Sequence, residues 1–260
     1  SLRTGMKQKT DTYAPLQLSK NYVRMSVSQL MKDFFWMIRA IRAFFPQIFP
    51  IHLLLRGFIF LLKNKEILLA TSNKGKIKEF KKIFNNFKII SQEELGIGDA
   101  VEDGMSFFEN ALKKARHASK EAHLFTIADD SGIVVPELNF EPGIYSARYA
   151  GKNASDKDNR NKIISEIKKL EKTSLDAYYV CVLVGVRFFS DPVPIYSYGE
   201  IHGKVSLTSS GEGGFGYDKI FYPNNYDISM ATMESEVKNS ISHRAIAAKS
   251  FLDELEKINT

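Results

Sequence analysis

From Glu66 onward, short apolar runs alternate with segments whose apolar residues recur at helical spacing. The apolar runs predict strands at 67–70, 87–90, 125–128 and 178–189, and helical periodicity follows the first of them through Ile77, Phe80, Ile83 and Phe84. Alternation of strands with helices is typical of the α/β class. We therefore expect residues 66–260 to form one α/β domain, arranged as two lobes around a cleft.

Three further helices are indicated by the residues that begin them. Ser106 with Glu109 and Ser155 with Asp158 are capping boxes, in which the serine and the acidic side chain satisfy backbone N–H groups at a helix start. The apolar face of the first helix should include Phe108, Ala111, Leu112 and Ala115, and the second helix carries Ile163, Ile164, Ile167 and Leu170. Ser242 is expected to cap a last helix over about 243–258.

The charge of the chain is divided unevenly at Lys65. The whole sequence has a net charge of +6, yet residues 1–65 carry 11 Lys and Arg against two Asp, whereas residues 66–260 carry 25 basic and 28 acidic residues. The main domain is therefore mildly acidic, and a basic groove for nucleic acid is not expected. One cysteine excludes an internal disulfide framework and is consistent with a reducing compartment.

Residues 1–65 form a basic, partly apolar N-terminal extension. Residues 34–62 are dense in Phe, Ile and Leu, but Pro46, Pro50 and Arg56 argue against a simple membrane span. Three interpretations remain: a poor or re-entrant membrane segment, an interfacial anchor, and a leader upstream of the true start. We expect weak membrane-surface association through 34–62, or a dispensable extension of a cytoplasmic protein.

The polar loop 71–76 follows the first strand and leads into a helix. Free N–H groups at a helix start favour an anion, and Lys76 adds a positive charge there. The loop lacks the second glycine and the Ser or Thr of a P-loop, so a surface lysine is an equally good interpretation.

Residues 211–216 formally match the glycine pattern of dinucleotide-binding proteins. That pattern should open a helix, but the residues that follow, 217–223, have a strand-like composition, so a nicotinamide cofactor is rejected. The remaining interpretation is a flexible loop that presents Phe215 and Asp218 to a flat ring.

The pair Asp129 and Asp130 follows a buried strand. Adjacent carboxylates, joined by Glu102 or Glu109, are oxygen ligands of the kind that Mg²⁺ prefers, although such a pair also commonly caps a turn. Lys238, Ser242, His243 and Arg244 cluster at the last helix, where cations oppose the helix dipole and so weakly indicate a site. Together these residues predict a Mg²⁺-dependent nucleotide site.

The sequence resembles the inosine triphosphate pyrophosphatases over about 66–258. The resemblance lies in six separated motifs that occur in the order of the family: 70–76, 106–115, 128–132, 142–151, 213–218 and 242–244. It implies an α/β fold with a mixed twisted sheet flanked by helices, and hydrolysis of ITP, dITP and XTP to the monophosphate and pyrophosphate.

The resemblance also implies roles for individual residues. Asp130 would accept the proton and bind metal, with Asp129 and Glu102 supporting Mg²⁺, and Lys114 would assist at phosphate. The triphosphate would contact Thr71, Ser72, Asn73, Lys74, Gly75 and Lys76. The rest of the substrate would contact Ser131, Phe215, Gly216, Tyr217, Asp218, Lys238, His243 and Arg244.

The partners expected are a purine nucleoside triphosphate and a second copy of the chain in a homodimer. Two alternatives to the leading function remain open. One is a related pyrophosphatase that acts on pyrimidine or modified nucleotides. The other is a membrane-tethered nucleotide-binding protein without turnover.

Overall fold

The computed structural model describes residues 65–259, so the expectations for the N-terminal extension and for membrane association through 34–62 lie outside the described residues. The strands are β1 (Glu66–Leu69), β2 (Lys88–Ser91), β3 (Thr126–Val134), β4 (Ser174–Val186), β5 (Ile195–Ser206) and β6 (Phe221–Pro223). The helices are α1 (Lys74–Ile83), α2 (Phe107–Ala122), α3 (Asp156–Lys169), α4 (Ser235–Ile241) and α5 (His243–Asn259). In the described range, no helix is long and apolar enough to cross a membrane.

Over residues 65–259 the six strands form one mixed sheet in the order β2-β1-β3-β4-β5-β6. Strand β1 is parallel to both β2 and β3, whereas β3, β4, β5 and β6 pair antiparallel. The α/β class and the mixed sheet flanked by helices are therefore confirmed.

The two lobes are built on opposite halves of the long strands β4 and β5. On one face of the sheet, Cys181 and Leu183 belong to a core with α1 and α5, while Leu175 and Ala177 belong to a second core with α3 and β6. On the other face, three buried alanines of α2 pack on the sheet. The predicted arrangement of two lobes is thus present on this sheet.

The capping boxes fold as predicted. The side chains of Ser106 and Ser155 accept from the third backbone N–H of α2 and α3, and the acidic partner reaches back in each case. The hydroxyl of Ser242 accepts from Ala245 N–H at 3.2 Å, as expected of a cap at the start of α5. Phe108 is wrong as a core residue, because it is partly exposed at the rim, where it contacts Tyr196 edge to face.

The observed strands differ in their bounds from the predicted ones, and two of these differences affect the site. Strand β3 was expected to end at Ala128, but antiparallel pairing with β4 carries it through the acidic pair to Val134. Strand β6 is shorter than the run 217–223, because Ile220 and Phe221 N–H both donate to the carbonyl of Tyr217 and make a turn there.

Candidate active site

A cleft of about 310 Å³ opens beyond the carboxyl end of β1, between the two lobes. The ladder of β1 with β3 ends where Ala70 N–H donates to Ile127 O at 2.8 Å, while β3 continues along β4. Crevices beyond strand ends are the usual ligand sites of open α/β sheets. The cleft is therefore produced by a short strand beside a long one.

The cleft gathers most of the residues predicted from the sequence. Its lining includes Thr71, Ser72, Asn73, Lys76, Glu102, Lys114, Asp130, Ser131, Phe215, Gly216, Tyr217, Asp218 and Arg244. Outside that lining lie Lys74, Gly75, Asp129, Lys238 and His243. The structure thus brings residues of all six separated motifs to one surface, while other members of these motifs lie outside it.

At one end of the cleft, the loop before α1 is shaped by its own side chains. Asn73 caps α1 by accepting from Lys76 N–H at 3.1 Å, and Thr71 Oγ1 accepts from Asn73 N–H at 3.3 Å. Ser72 donates to Asp99 at 3.1 Å across the cleft mouth. Because α1 has no acidic residue in its first turn, its N-terminus and Lys76 make this end of the cleft attractive to phosphate.

Asp129 and Asp130 point to opposite faces of the sheet, as neighbours in a strand must. Asp129 is fully buried and pairs with Lys76 at 2.8 Å, on the side of α1. Asp130 pairs with Lys114 at 3.2 Å, on the side of α2. The two adjacent carboxylates therefore do not converge. Instead, Asp130 shares Lys114 with Glu102, whose carboxylate lies 3.4 Å from the same ammonium group.

The pKa values of Asp129 and Asp130 are shifted in opposite directions. Burial alone opposes ionisation of Asp129, but Lys76, Lys114 and Arg244 outweigh it and lower its pKa to about 2. Burial raises the pKa of Asp130, and Lys114 only partly opposes this. The Asp130 carboxyl is thus the better proton acceptor, held by the amide of Asn110 at 3.3 Å.

Lys114 is surrounded by carboxylates. Burial lowers the pKa of a lysine, but Asp130, Asp129 and Glu102 together raise the pKa of Lys114. It therefore stays charged beside Asp130, where it can neutralise a developing negative charge on phosphate.

The carboxylates at the cleft wall are oxygen donors of the kind that Mg²⁺ prefers. Among residues 65–259, no group of three or more His, Cys, Asp or Glu side chains is preassembled around one point. Mg²⁺ in proteins is commonly bound by one or two carboxylates together with substrate phosphates and water, which Asp130 and Glu102 can supply. Asp129 Oδ1 is buried without a hydrogen-bond partner among the described residues, but it lies on the opposite face of the sheet and outside the cleft lining, so it adds no ligand to this pair. The residues fit the ion.

At the other end of the cleft, an unpredicted residue organises the cations. Glu79 of α1 accepts from Lys238 Nζ at 3.0 Å and from Arg244 Nη1 at 3.0 Å. Sequence analysis missed it because its partners lie more than 150 residues away. The one available signal is that Glu79 is the only acidic residue in the lysine-rich sequence of α1.

Both cations face the ring of Phe215. The Arg244 guanidinium carbon lies 4.9 Å and the Lys238 ammonium 5.4 Å from the ring centroid. Lys238 also donates to Asp218 Oδ2 at 2.8 Å, and the same oxygen accepts from Phe215 N–H at 3.0 Å. An aromatic face flanked by fixed donors suits a flat ring that carries oxygen acceptors.

His243 lies behind this surface. It is buried, its ring stacks on Tyr179 with centroids 4.6 Å apart, and both ring nitrogens lack hydrogen-bond partners within the described residues. Burial, with Arg244 and Lys238 nearby, lowers its pKa well below the usual range. His243 therefore lies outside the cleft lining and packs against Tyr179, which lines the cleft, and its contact with the base stays a prediction.

Comparison with known proteins decides the family. Residues 67–254 match the model of the Ham1 family. The chain belongs to the Ham1 family. The resemblance given by the sequence motifs is thereby confirmed, and the matched range includes every predicted site residue.

Among the relatives of this Ham1 chain is a protein named dITP/XTP pyrophosphatase from Legionella pneumophila (strain Paris), 50% identical over 183 residues, which are 70% of this chain and 94% of the relative. A protein of the same name from Acinetobacter baumannii (strain ACICU) is 45% identical over 197 residues, 74% of this chain and 95% of the relative.

Solved structures agree with this assignment. A HAM1 protein from Coxiella burnetii is 36% identical, with a TM-score of 0.69, covering 74% of this chain and 98% of its own. The Ham1 protein of Staphylococcus aureus is 40% identical, with a TM-score of 0.65, covering 74% and 99%.

Proposed function

We propose that this Ham1 chain removes deaminated purine nucleotides from the nucleotide pool, hydrolysing dITP, XTP and ITP to the monophosphate and pyrophosphate. The names of its relatives support this activity. The observation that carries it is the position of Asp130: buried at the cleft wall, next to Lys114 and Glu102, and between the phosphate-binding end and the aromatic end.

Asp130 is the proton acceptor in this proposal. A water attacks the α-phosphorus, a P–O bond forms to that water, and the bond to the oxygen bridging the α- and β-phosphates breaks. The proton of the water passes to the Asp130 carboxylate, whose pKa is raised by burial. Lys76 and Lys114 neutralise charge on the phosphates, and pyrophosphate leaves.

The metal proposed is Mg²⁺, which Asp130 and Glu102 would bind at the cleft wall, while Asp129 would act indirectly by holding Lys76 in place. When bound, it neutralises charge on phosphate oxygens and lowers the pKa of a coordinated water. The protein's part is to balance the negative charge of these carboxylates: Lys76 pairs with Asp129, and Lys114 pairs with Asp130 and Glu102.

The base is recognised at the other end. Phe215 stacks on the purine, and Lys238 and Arg244 face it as donors. Hypoxanthine and xanthine carry an oxygen acceptor at the 6-position, where adenine carries an amino donor, so fixed donors reject adenine.

We further propose that the chain is a cytoplasmic homodimer, and that residues 1–65 are dispensable for turnover. Sedimentation of the full chain tests the dimer. Deletion of residues 1–64 should retain activity, and comparison of the two forms in vesicle flotation tests surface association through 34–62.

The deciding experiment is a substrate panel with product identification. Full-length protein with Mg²⁺ should release pyrophosphate from dITP and XTP at least about a hundredfold faster than from dATP. Asp130→Asn should abolish this release. The control is Asp103→Asn, which removes the exposed ion pair of Asp103 with Lys113, one residue before Lys114, and should retain the rate. Orthophosphate as the first product, or equal use of dATP, would overturn the proposal.

A further inference from the structure

Gly216, the residue after Phe215, is held by one helix through both its backbone N–H and its backbone carbonyl. Asp156, the first residue of α3, accepts from Gly216 N–H at 2.7 Å. Arg160, one turn further along, donates to Gly216 O at 2.6 Å. Residues four apart in a helix share a face, so the two side chains reach the same loop residue together.

The loop that carries Phe215 needs such support. It is rich in glycine, and Gly214 and Gly216 both have positive φ, of 70° and 60°. Glycine loses the most conformational freedom on ordering, so a glycine loop is intrinsically mobile. Hydrogen bonds to charged groups are about twice as strong as neutral ones, and two of them fix Gly216.

Helix α3 is itself firmly placed, so it can serve as a support. Ile163 and Ile167 are fully buried in the core of their lobe. Asn159 is buried as well, and it accepts from Ala150 N–H at 2.8 Å and donates to Ala147 O at 3.2 Å. Gly216 is therefore held in place by the rigid helix α3, and its position does not depend on the loop alone.

Resting on the proposed function, we propose that Asp156 and Arg160 are positioning residues that hold the Phe215 loop in its base-stacking position. Asp156 lies on the cleft wall, whereas Arg160 lies outside the cleft lining and acts only through Gly216. Together they link α3, in one lobe, to the ring that contacts the substrate.

The expected kinetic effect is on binding more than on the chemical step. Phe215 is at the base end, whereas Asp130 acts on the phosphates. A loosened loop therefore loses contacts that exist equally in the ground state and the transition state, and KM rises while kcat is nearly kept.

The key variant is Arg160→Met, which keeps most of the aliphatic stem and removes the donor. We expect KM for dITP to rise about tenfold, with kcat changed less than about twofold. Arg160→Lys, which can still donate once, should recover part of the loss. Asp156→Asn keeps an acceptor for Gly216 N–H and should be milder than Asp156→Ala.

The matched control is Lys162→Met. Lys162 also extends from α3 to a backbone carbonyl, that of Tyr149 at 2.6 Å, but this contact does not involve the Phe215 loop. Its variant should keep the wild-type KM. Equal effects of Arg160→Met and Lys162→Met on KM would contradict a specific role.

A second measurement does not depend on turnover. Hydrogen exchange of the segment 211–218 in the free full chain should accelerate about tenfold in Arg160→Met and stay unchanged in Lys162→Met. If wild-type protein fails to hydrolyse dITP but Arg160→Met still accelerates exchange of this segment, the proposed function is wrong, whereas the support of the Phe215 loop by α3 is confirmed. Unchanged exchange overturns the inference, and so does faster exchange in an active enzyme whose KM for dITP does not rise.

Discussion

The ammonium of Lys76 lies 2.8 Å from Asp129 Oδ2, and the Asp129 side chain is completely buried. The pair joins the start of α1 to the middle of β3, and so fixes the phosphate-binding loop against the strand that carries Asp130. Breaking a buried ion pair by removing one partner leaves an uncompensated charge and costs about 3–5 kcal/mol.

We therefore expect Lys76→Met to lower the denaturation midpoint substantially, and the double variant Lys76→Met/Asp129→Asn to recover much of the loss. Equilibrium unfolding in urea measures both. Lys78→Met, an exposed lysine of the same helix, is the control and should change stability by less than about 0.5 kcal/mol. A single variant as stable as wild type would refute the interpretation.

Glu79 should govern base selectivity without touching the phosphates. In Glu79→Gln the charge that orients Lys238 and Arg244 is lost, so both donors become less fixed. We expect the ratio of kcat/KM for dITP to that for dATP to fall about tenfold. Glu66→Gln removes an ion pair with exposed Lys88 and should leave this ratio unchanged.

Gly75 should be required for the position of the Phe215 ring. A Cβ at Gly75 would lie 2.8 Å from Phe215 Cδ1, closer than real contacts allow. Gly75→Ala should therefore raise KM for dITP, although alanine is favoured over glycine in a helix by up to about 1 kcal/mol. Reduced activity without a lower Tm is the expected combination.

Gly98 provides the matched control, because a Cβ there meets no described atom within 4 Å. Gly98→Ala should behave as wild type in both assays. If Gly75→Ala also leaves KM unchanged, the contact between the phosphate loop and the ring is unimportant for binding.

The connection between β4 and β5 should show a simple pH dependence of stability. Arg187 donates to Asp191 from Nη2 at 2.7 Å and from Nε at 2.8 Å, and Asp191 is buried. Burial alone would raise the pKa of Asp191, but the hydrogen bonds from Arg187 and from the backbone outweigh it and lower the pKa. The stabilisation is thus complete above the unfolded pKa of about 3.9 and is lost as pH falls through the lower folded value.

Asp191→Asn should accordingly cost about 2 kcal/mol at pH 7. Unfolding of both proteins between pH 7 and pH 2 measures the difference, which should be constant down to about pH 4 and then shrink. A difference in unfolding free energy that grows toward low pH would contradict a lowered pKa of Asp191 in the folded protein.

The parts of the fold that could be predicted are those with local signals. Helices α2 and α3 follow from capping boxes of four residues, and β4 from an unbroken apolar run. Strand β5 was not predicted, because its buried positions include Ser197, Gly199 and Gly203 whereas Tyr196 and Tyr198 are exposed, so its apolar residues do not mark the buried face. Its place depends on pairing with β4, which is a tertiary contact.

The same distinction applies to the site. The loop 71–76 and the acidic pair were visible as compact motifs, and the structure brings most of their members to the cleft. The opposite orientation of Asp129 and Asp130 could not be foreseen while the strand was expected to end before them. Glu79, Asp156 and Arg160 act on residues far along the chain, so no local pattern indicates their partners.

Strand β1 ends at Leu69, and β3 runs seven residues past its last partner in β1, from Ile127 to Val134. One edge of β3 is thereby left open beside Asp130, and the depth of the cleft depends on this difference in length. An insertion that extended β1 by two residues would pair that edge and close the space, with every side chain of the site still in place. Substitutions in the surrounding loops can retune what the cleft accepts, whereas a change in the length of β1 removes the cleft itself.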